Sequence, residues 1–465
     1  MGFLIRMLLI ALTLGIGLLI QNIRQLTRPL PVPKLNFETY WGPETLRGRN
    51  YGDDQKVKSF DISTKPELIE DLKTVLSRPL KLHDPLEGVR FEYGFNSKML
   101  EKIVTYWRDS YLPKWTEREA YLKKFPHFQT QIQGLKIHFI HVKPKRTGGK
   151  KVLPLLLLHG WPGSVREFYD LIPLLTTPNA NSGYVFEVVA PSLPGYGWSQ
   201  APSKVGFGPA QMSIVLGKLM LRLGHTKFVV QGGDWGSRVG ANVATFFPNN
   251  VIAYHSNMCM VGTPLSIAKL VVSSFWPSLF YEPHQESYFL PAHRMLTLSL
   301  EDMAYAHLQA TKPDTIGTAL AHNPVGLAAY ILEKFSIWTN KDFVKLADGG
   351  LTQRFTLDAL LDNVMIYQLT NSITTSQRLY AEHFSKQNLR LEMDRVQINV
   401  PTGCARFKNE LSHFSDWQLK ERFANLVSTS YHSEGGHFAA MEVPQILYAD
   451  LNEFLKKALH RKPAA

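Results

Sequence analysis

The fold of this chain can be inferred from the stretch Val229-Val230-Gln231-Gly232-Gly233-Asp234-Trp235-Gly236-Ser237. The apolar run from Lys227 to Val230 predicts a short buried strand, and residues 239–247, followed by Pro248, predict a helix. A Gly-x-Asp-x-Gly turn between a strand and a helix predicts a nucleophile elbow, in which a sharp bend strains the central residue and exposes its side chain. By itself the pattern also fits a glycine-rich turn in which Asp234 only caps the helix.

An aspartate at the centre of an elbow predicts a particular chemistry. A carboxylate attacks carbon atoms that bear a strained or good leaving group, and it becomes an ester of the enzyme. The α/β-hydrolases order their catalytic groups as nucleophile, acid and histidine. His437 fits the last position, because it follows a predicted strand and precedes the last helix. The acid is expected in a loop after the preceding strand, where Glu410 and Asp416 fit equally well, while Asp394 lies before that strand.

The rest of the chain alternates strands with helices. Continuous apolar runs predict strands buried on both faces, and their alternation with helices predicts a parallel sheet covered by helices. The predicted strands are a hairpin over residues 128–142, Leu153–Leu158, Val185–Ala190, the elbow strand, Val251–Ser256, Val396–Val400 and Leu426–Tyr431. The predicted helices are Pro66–Arg78, Ser97–Tyr111, Val165–Leu175, 209–223, 239–247 and the final helix.

The alternation is interrupted near Gly262 by a long helical stretch rich in aromatic residues, which predicts a cap over the carboxyl ends of the strands. The sequence therefore predicts an α/β-hydrolase fold with a helical cap, an N-terminal membrane anchor and a docked N-terminal segment. The predicted divisions are an anchor at 1–22, a linker and N-terminal segment at 23–125, the first part of the core at 126–262, the cap at 263–385 and the second part of the core at 386–465.

Composition narrows the class of protein. The chain has 465 residues and a net charge of +12, but it shows no helix-borne basic run that would predict a nucleic-acid partner. Attraction to an anionic membrane surface and a generally basic surface explain the charge about equally well. Its two cysteines, Cys259 and Cys404, suggest no disulfide framework and fit a reducing compartment. We find no spacing typical of a metal site and expect neither metal nor organic cofactor.

The N-terminus predicts attachment to a membrane. Residues 3–20 are apolar apart from Arg6 and Thr13, which is near the short limit of the ~20 residues that a membrane-spanning helix needs. A cleaved signal peptide is the alternative, but residues 21–24 offer no small-residue cleavage site. Arg24, Arg28 and Lys34 outnumber the charges before the segment, which predicts a single-pass protein whose catalytic body is cytosolic.

A second motif follows the first buried strand. His159-Gly160-Trp161-Pro162-Gly163 stands where backbone N–H groups form an oxyanion hole in this fold. The N–H groups of Trp161 and of Trp235, the residue after Asp234, are the candidate donors, since Pro162 has no N–H. A plain tight turn would also explain the motif.

These motifs resemble those of the microsomal epoxide hydrolase family, which includes the insect juvenile hormone epoxide hydrolases, and the resemblance covers nearly the whole chain. The segments that carry it are His159–Gly163, Gly232–Ser237, Gln309–Gly317, Pro324–Phe335 and Gly435–Phe438. It implies Asp234 as nucleophile, His437 as base and Glu410 as the acid. It also implies that the cap tyrosines Tyr305 and Tyr380 donate protons, with Tyr281 and Tyr288 as neighbouring alternatives to Tyr305.

The resemblance implies an enzyme of the endoplasmic reticulum membrane that adds water to lipophilic epoxides, either juvenile hormone or xenobiotic, and gives vicinal diols. Two other classes remain open. Haloalkane dehalogenases share an aspartate elbow and hold the departing halide with Trp or Asn donors, a role that Trp161 and Trp235 could fill. A hydrolase-fold protein that binds a terpenoid hormone without turnover is the third class.

Overall fold

A computed structural model describes Met7, Thr13, Gln21, Asn22 and residues 24–44, 53–289 and 291–460. Apart from the first four of these, the predicted anchor at 1–22 lies outside the described residues. Within the described ranges, no helix is long and apolar enough to cross a membrane.

A nine-stranded mixed sheet forms the core. The strands are β1 (Lys58–Ser59), β2 (His127–Ile132), β3 (Leu135–Val142), β4 (Lys151–Leu158), β5 (Tyr184–Pro191), β6 (Phe228–Gly232), β7 (Val251–Ser256), β8 (Thr402–Asn409) and β9 (Leu426–Gly436). Their order in the sheet is β1-β2-β3-β5-β4-β6-β7-β8-β9. The first four strands in this order pair antiparallel, and β5 to β9 pair parallel.

The sequence of the central strands explains why the sheet is covered on both sides. Leu155, Leu156, Leu157 and Leu158 of β4 are all fully buried, although neighbouring side chains of a strand point to opposite faces. A strand that is apolar on both faces is stable only between two layers of helices. The predicted parallel α/β sheet is confirmed, and β7 has the predicted ends.

Helices surround the sheet. They are α1 (Pro66–Leu76), α2 (Ser97–Tyr106), α3 (Trp115–Leu122), α4 (Leu171–Thr176), α5 (Pro209–Arg222), α6 (Asp234–Phe246), α7 (Pro264–Phe275), α8 (Pro283–Glu286), α9 (Ala292–Asp302), α10 (Ala304–Thr311), α11 (Pro313–Ala321), α12 (Pro324–Ile337), α13 (Leu351–Arg354), α14 (Leu357–Thr370), α15 (Ile373–His383), α16 (Lys386–Leu389), α17 (Asp416–Leu419), α18 (Ala439–Glu442) and α19 (Pro444–Leu459). Short 3-10 turns occupy Leu112–Lys114, Val165–Phe168, Pro277–Leu279, Lys341–Lys345 and Met393–Arg395, and a π-helical turn occupies Trp107–Tyr111. In the described part of the chain, every element between β7 and β8 is helical.

Buried ionic contacts join the N-terminal segment to the rest of the molecule. Asp362 of α14 is fully buried and accepts a hydrogen bond of 2.9 Å from the Tyr111 hydroxyl. The guanidinium groups of Arg118 and Arg166 donate to the same carboxylate, at 2.5 and 2.9 Å. Three separate parts of the chain therefore meet at one carboxylate, whose charge is compensated by two arginines.

Several predicted element boundaries are wrong. Residues 396–400 form no strand and make only the single bridges of Val396 with Leu30 and of Ile398 with Phe423, and the sheet resumes at Thr402, after Pro401. These apolar residues are buried by packing and not by pairing in the sheet. The helix after the elbow begins at Asp234 and not at residue 239, so Gly236 lies within its first turn. The predicted helix 165–175 is a 3-10 turn followed by α4.

The two cysteines are also paired, contrary to the expectation. Cys259 follows β7 and Cys404 lies in β8, and a disulfide bond joins them with Cα atoms 5.9 Å apart. They are 145 residues apart in the sequence, and only the pairing of β7 with β8 brings them together. Sequence spacing cannot reveal a contact that depends on which strands become neighbours.

Candidate active site

The elbow has the strained geometry that the sequence predicts. Asp234 lies directly after β6 at the start of α6, with φ of +48°, in the left-handed region that non-glycine residues rarely adopt. Two glycines allow α6 to lie close to the end of β4 and the loop after β4 to lie close to Asp234. A Cβ at Gly236 would overlap the backbone of Leu158, and a Cβ at Gly160 would overlap the Asp234 carboxylate. The bend therefore depends on small residues in α6 and in the loop after β4.

The structure brings His437 and Glu410 to this carboxylate. His437 follows β9, and its Nε2 lies 3.4 Å from Oδ2 of Asp234. Its Nδ1 lies 2.6 Å from Oε1 of Glu410, which follows β8. Both His437 and Glu410 are buried. Because the carboxyl ends of parallel strands meet at one edge of the sheet, residues from the ends of β6, β8 and β9 converge there.

The other two acid candidates lie elsewhere. Asp416 accepts from Arg406 at 2.8 Å and from the Thr429 hydroxyl at 2.9 Å. Asp394 is paired with Arg238 at 3.2 Å and with Arg422. Of the three candidates, Glu410 is the one that contacts His437.

The charges around His437 change its protonation. Burial alone disfavours the imidazolium, but the carboxylates of Glu410 and Asp234 outweigh burial and raise the pKa of His437 well above its ordinary value. With Asp234 ionised, the imidazole is therefore protonated at neutral pH. A change that neutralised Asp234 would remove part of the effect that raises this pKa.

One backbone N–H group from the second motif contacts the elbow. The N–H of Trp161 donates to Oδ1 of Asp234 at 2.8 Å. Trp235 lies in the first turn of α6, where N–H groups have no acceptor within the helix. Of the two candidate donors, Trp161 therefore contacts the carboxylate directly, and Trp235 follows Asp234 in the chain.

Two cap tyrosines stand above the carboxylate. Tyr305 of α10 stacks on Trp161 with ring centroids 5.2 Å apart, and Tyr380 of α15 meets Trp235 edge-on at 4.8 Å. Burial, and then the negative charge of Asp234, raise the pKa of Tyr305 well above its ordinary value. Burial, followed by Tyr305 and Asp234, does the same to the pKa of Tyr380. The Tyr380 hydroxyl is buried and makes no hydrogen bond of good geometry to any described residue, with Tyr305 and the Trp235 side chain as its polar neighbours.

The alternative tyrosines are committed elsewhere. Tyr281 donates to the Ser273 hydroxyl at 2.7 Å, and Tyr288 donates to the His432 carbonyl at 3.1 Å. The ring of Tyr305 is 5.9 Å from that of Tyr380, so the structure brings these two residues together.

A cavity of about 510 Å³ lies between the cap and the sheet edge. Its size is in the range of sites for small organic ligands. Asp234, Tyr305, Tyr380 and Glu410 lie in its wall. Apolar parts of the wall are contributed by Met258, Met260, Met295, Leu298, Met303 and Phe384. Charged side chains, among them Arg238, Lys341 and Lys408, line other parts of the wall, so the cavity suits a ligand with an apolar body and a polar group near Asp234.

Sequence reasoning missed a group of polar residues behind the carboxylate. A second, small cavity is lined by Asp234, His437, Glu167, Gln231 and Asn257, among others. Burial raises the pKa of Glu167 to about 8, and burial also raises the pKa of nearby Glu442 to about 8. The position of Glu167, shortly after His159–Gly163, is the only sequence signal that could have identified it. Nothing in the sequence shows that its carboxyl is buried against Gly163.

The sheet order, the elbow on β6 and the histidine after β9 define an α/β-hydrolase. The model of the epoxide hydrolase N terminus matches residues 57–168, and that of the alpha/beta hydrolase fold matches residues 154–394. The chain belongs to the microsomal epoxide hydrolase family, which includes the juvenile hormone epoxide hydrolases.

Relatives of known name support this membership. The chain is 48% identical to juvenile hormone epoxide hydrolase 1 of Ctenocephalides felis over 462 residues, which cover 98% of this chain and 96% of the relative. It is 42% identical to epoxide hydrolase 1 of Sus scrofa over 422 residues, 90% of this chain and 92% of the relative. The crystal structure of the Bombyx mori juvenile hormone epoxide hydrolase superposes with a TM-score of 0.88 at 43% identity, and covers 91% of this chain and 99% of that one.

Proposed function

We propose that this protein hydrolyses lipophilic epoxides to vicinal diols through a covalent ester on Asp234. One observation carries the proposal. The strained Asp234 has His437 at 3.4 Å on one side and faces two buried tyrosines across an apolar cavity. An epoxide in that cavity would have a nucleophile on one side of its ring and proton donors on the other.

The first step opens the ring. An oxygen of Asp234 attacks a ring carbon and forms a C–O ester bond, while the bond between that carbon and the ring oxygen breaks. The ring oxygen leaves as an alkoxide, which takes a proton from Tyr305 or Tyr380. Because burial raises the pKa of both tyrosines, they remain protonated at neutral pH and can act as acids. General acid catalysis of this kind contributes ~10²–10⁴-fold.

The second step hydrolyses the ester. Esterification removes the negative charge of Asp234, so the pKa of His437 falls and the imidazole can accept a proton. His437, oriented by Glu410, then takes a proton from water, and the hydroxide attacks the ester carbonyl carbon of Asp234. The Trp161 and Trp235 amides stabilise the oxyanion. The bond between the Asp234 carbonyl carbon and the substrate oxygen then breaks, that oxygen takes the proton of the new carboxyl group, and the diol leaves. The proton that His437 released before it accepted one from water restores the tyrosine, so carboxylate, imidazolium and tyrosine are all regenerated.

The small cavity behind Asp234 and His437 supports this route for water. It is lined by polar groups of Glu167, Gln231 and Asn257, and it is of the size of about one water molecule. The large cavity holds the organic substrate on the opposite side. The step needs neither metal nor organic cofactor.

The substrate class follows from the apolar wall of the large cavity and from the relatives, of which several are named juvenile hormone epoxide hydrolases. We propose a terpenoid epoxide of the juvenile hormone type, with xenobiotic epoxides as the rival substrates. Comparing kcat/KM for juvenile hormone with kcat/KM for styrene oxide, a small aromatic epoxide, tests which of the two substrate classes is preferred. A larger kcat/KM for styrene oxide would contradict it.

A trapping experiment tests the covalent ester. In His437→Gln the first step is expected to proceed and the second to stop, so the intact protein should gain the mass of one substrate molecule. Asp234→Ala should gain no mass and show no turnover. If His437→Gln protein incubated with a reactive epoxide gained no mass, the two-step scheme would be wrong.

One observation favours a second candidate. The indole nitrogens of Trp161 and Trp235 are buried and lack a hydrogen-bond partner within the described part of the chain, as expected of halide-binding donors. A haloalkane dehalogenase would release halide from a chloroalkane. We expect no halide release, because the two tyrosines provide the acid that an epoxide needs and a halide does not. A hormone binder without turnover would bind its ligand and yield no diol.

We also propose that the protein is anchored to the endoplasmic reticulum membrane by residues 1–22 as a single-pass protein. Two helices near the large cavity support membrane contact through exposed apolar faces. The exposed apolar residues are Ile267, Val271, Val272 and Phe275 of α7, Trp276 and Leu279 just after α7, and Leu296 and Leu300 of α9. Patches of this kind mark protein or membrane contacts.

The excess of positive charge after the apolar segment supports a cytosolic catalytic body. The disulfide between Cys259 and Cys404 is the observation that opposes it, since cytosolic cysteines stay reduced. Protease treatment of intact microsomes tests the orientation, because only a cytosolic body would be degraded. Limited proteolysis of the same sample tests the proposed divisions after residues 125, 262 and 385, where we expect the first cleavages.

A further inference from the structure

Three side chains that could bind a metal converge on the sheet, away from Asp234. His141 lies in β3, Glu187 in β5, and His225 in the connection between α5 and β6. Nε2 of His141 is 2.7 Å from Oε1 of Glu187, and Nε2 of His225 is 3.5 Å from the same oxygen. His225 precedes β6 whereas Asp234 follows it, and five strand residues span about 16 Å. The cluster is therefore separate from the catalytic groups.

The cluster is partly enclosed. The three side chains are only 11–15% exposed, and their possible ligand atoms lie within 4.8 Å of one another. The rings of Phe128 and Phe139 contact the His141 ring, with centroids 6.0 and 6.3 Å away, and limit its rotation. A site held by packing in this way loses little side-chain freedom when a ligand binds.

One ring nitrogen of the cluster lacks a partner. Nε2 of His225 is buried and makes no hydrogen bond to any described residue. A buried polar atom without a partner is unusual in a folded protein, and an unseen water or ion is a common reason. This nitrogen, the ring nitrogen of His141 and the Glu187 carboxylate oxygen therefore form one group of possible ligand atoms.

We propose that His141, Glu187 and His225 bind one Zn²⁺ ion, with water in the fourth position. Two imidazole nitrogens and one carboxylate oxygen are a common ligand set of zinc. Bond lengths of ~2.0–2.1 Å in a tetrahedron place neighbouring ligand atoms about 3.3 Å apart. The observed 2.7 and 3.5 Å lie on either side of this value, so small side-chain rotations suffice. The ion would join β3, β5 and the connection before β6.

One neighbouring charge opposes the ion. The Lys143 ammonium lies 3.6 Å from Oε1 of Glu187, where it provides part of the positive charge that zinc would provide. This side chain is 72% exposed, so it can turn into solvent when zinc binds. Removing the ammonium should therefore strengthen zinc binding. Lys143→Met keeps the stem of the side chain and is the appropriate variant.

The experiment uses the full chain without a histidine tag, stripped of metal and titrated with Zn²⁺ in competition with a chromophoric chelator. We expect one tight site per chain, and a gain in melting temperature with zinc. His225→Gln should lose more affinity than the ~10–100-fold that an outer partner costs, and Lys143→Met should bind more tightly. His225 is the preferred variant because its Nε2 makes no hydrogen bond to any described residue, so the substitution breaks none.

Two variants serve as controls. His322→Gln removes an exposed histidine between α11 and α12, and His437→Gln removes the histidine that contacts Asp234, so both should bind zinc as the unaltered chain does. Diol formation should be unchanged in His225→Gln. Absence of a tight site in the unaltered chain, or equal affinity in His225→Gln, would overturn the proposal. If His225→Gln is destabilised, Lys143→Met still tests the zinc proposal. A zinc affinity of Lys143→Met equal to that of the unaltered chain would contradict the proposal.

Discussion

Nε2 of His437 lies 3.4 Å from Oδ2 of Asp234, while its Nδ1 lies 2.6 Å from Oε1 of Glu410. The imidazole is therefore between two carboxylates, and they raise its pKa although burial opposes this. In the proposed mechanism, His437 would therefore stay protonated until Asp234 has formed an ester, and it would not activate water before that point.

The first prediction follows from this pair. Asp234→Asn keeps the size of the side chain and removes its charge, so the imidazolium of His437 loses one of its two stabilising carboxylates. We expect the pKa of His437 to fall, because one of the two opposite charges that raise it is gone. The measurement is an NMR titration of protein labelled with ¹⁵N-histidine. An unchanged pKa would show that Asp234 does not control the base, and Asp416→Asn is the matched control.

The two tyrosines give a second prediction. Tyr305→Phe and Tyr380→Phe should each slow ester formation about 10-fold or more, and the double variant should lose about 10²–10⁴-fold, because no acid remains for the alkoxide. The change in Trp fluorescence on ester formation is the measurement, since Trp161 and Trp235 touch these rings. Tyr281→Phe, which alters a hydroxyl bound to Ser273, should retain full rate. A double variant as fast as the unaltered chain would contradict the assignment.

The catalytic acid gives a third prediction. Glu410→Gln should slow ester hydrolysis more than ester formation, because the orienting carboxylate of His437 is needed only when water is activated. Ester should therefore accumulate in the steady state, and quenched-flow mass spectrometry would detect it. Asp416→Asn, the alternative that sequence left open, should not accumulate ester. The reverse result would assign the acid to Asp416.

The sequence predicted the parallel strands and the elbow because these depend on local pattern. The apolar run Leu153–Leu158 predicts a strand that is buried on both faces. Gly-x-Asp-x-Gly between a strand and a helix predicts a nucleophile elbow, and Asp234 has the expected positive φ. The choice between Glu410 and Asp416 was not decidable from pattern, because both lie in the same loop region and only the contact with His437 distinguishes them. Family resemblance, and not spacing, gave Glu410.

The failures share a cause, which is contact between distant parts of the chain. Val396, Ile398 and Val400 have the apolar alternation of a strand and are buried. In place of a neighbouring strand, Leu30 of the N-terminal segment bridges to Val396 and Phe423 bridges to Ile398. The Cys259–Cys404 bond and the cluster of His141, Glu187 and His225 likewise depend on which strands are neighbours. None of these is a feature of one stretch of sequence.

The buried carboxylate of Asp362 gives a prediction about stability. Asp362→Asn leaves the guanidinium groups of Arg118 and Arg166 without their shared partner, and removing one member of a buried ion pair costs about 3–5 kcal/mol. The free energy of unfolding in urea should fall by this amount. Asp358→Asn, which is one-third exposed, should lose much less. Equal losses would show that Arg118 and Arg166 do not depend on Asp362.

Glu167 gives a prediction about pH. Burial raises its pKa to about 8, so at pH 7 the carboxyl is neutral and can donate a hydrogen bond beside Asp234 and His437. Above pH 8 it becomes a second negative charge next to the ester oxyanion, and kcat should fall. Glu167→Gln reproduces the neutral form, so it should keep most of the activity at pH 7 and lose the decline at high pH. Glu442, whose pKa burial also raises to about 8, could give the same decline, so Glu442→Gln is the required control. A decline that persists in Glu167→Gln and disappears in Glu442→Gln would assign the effect to Glu442.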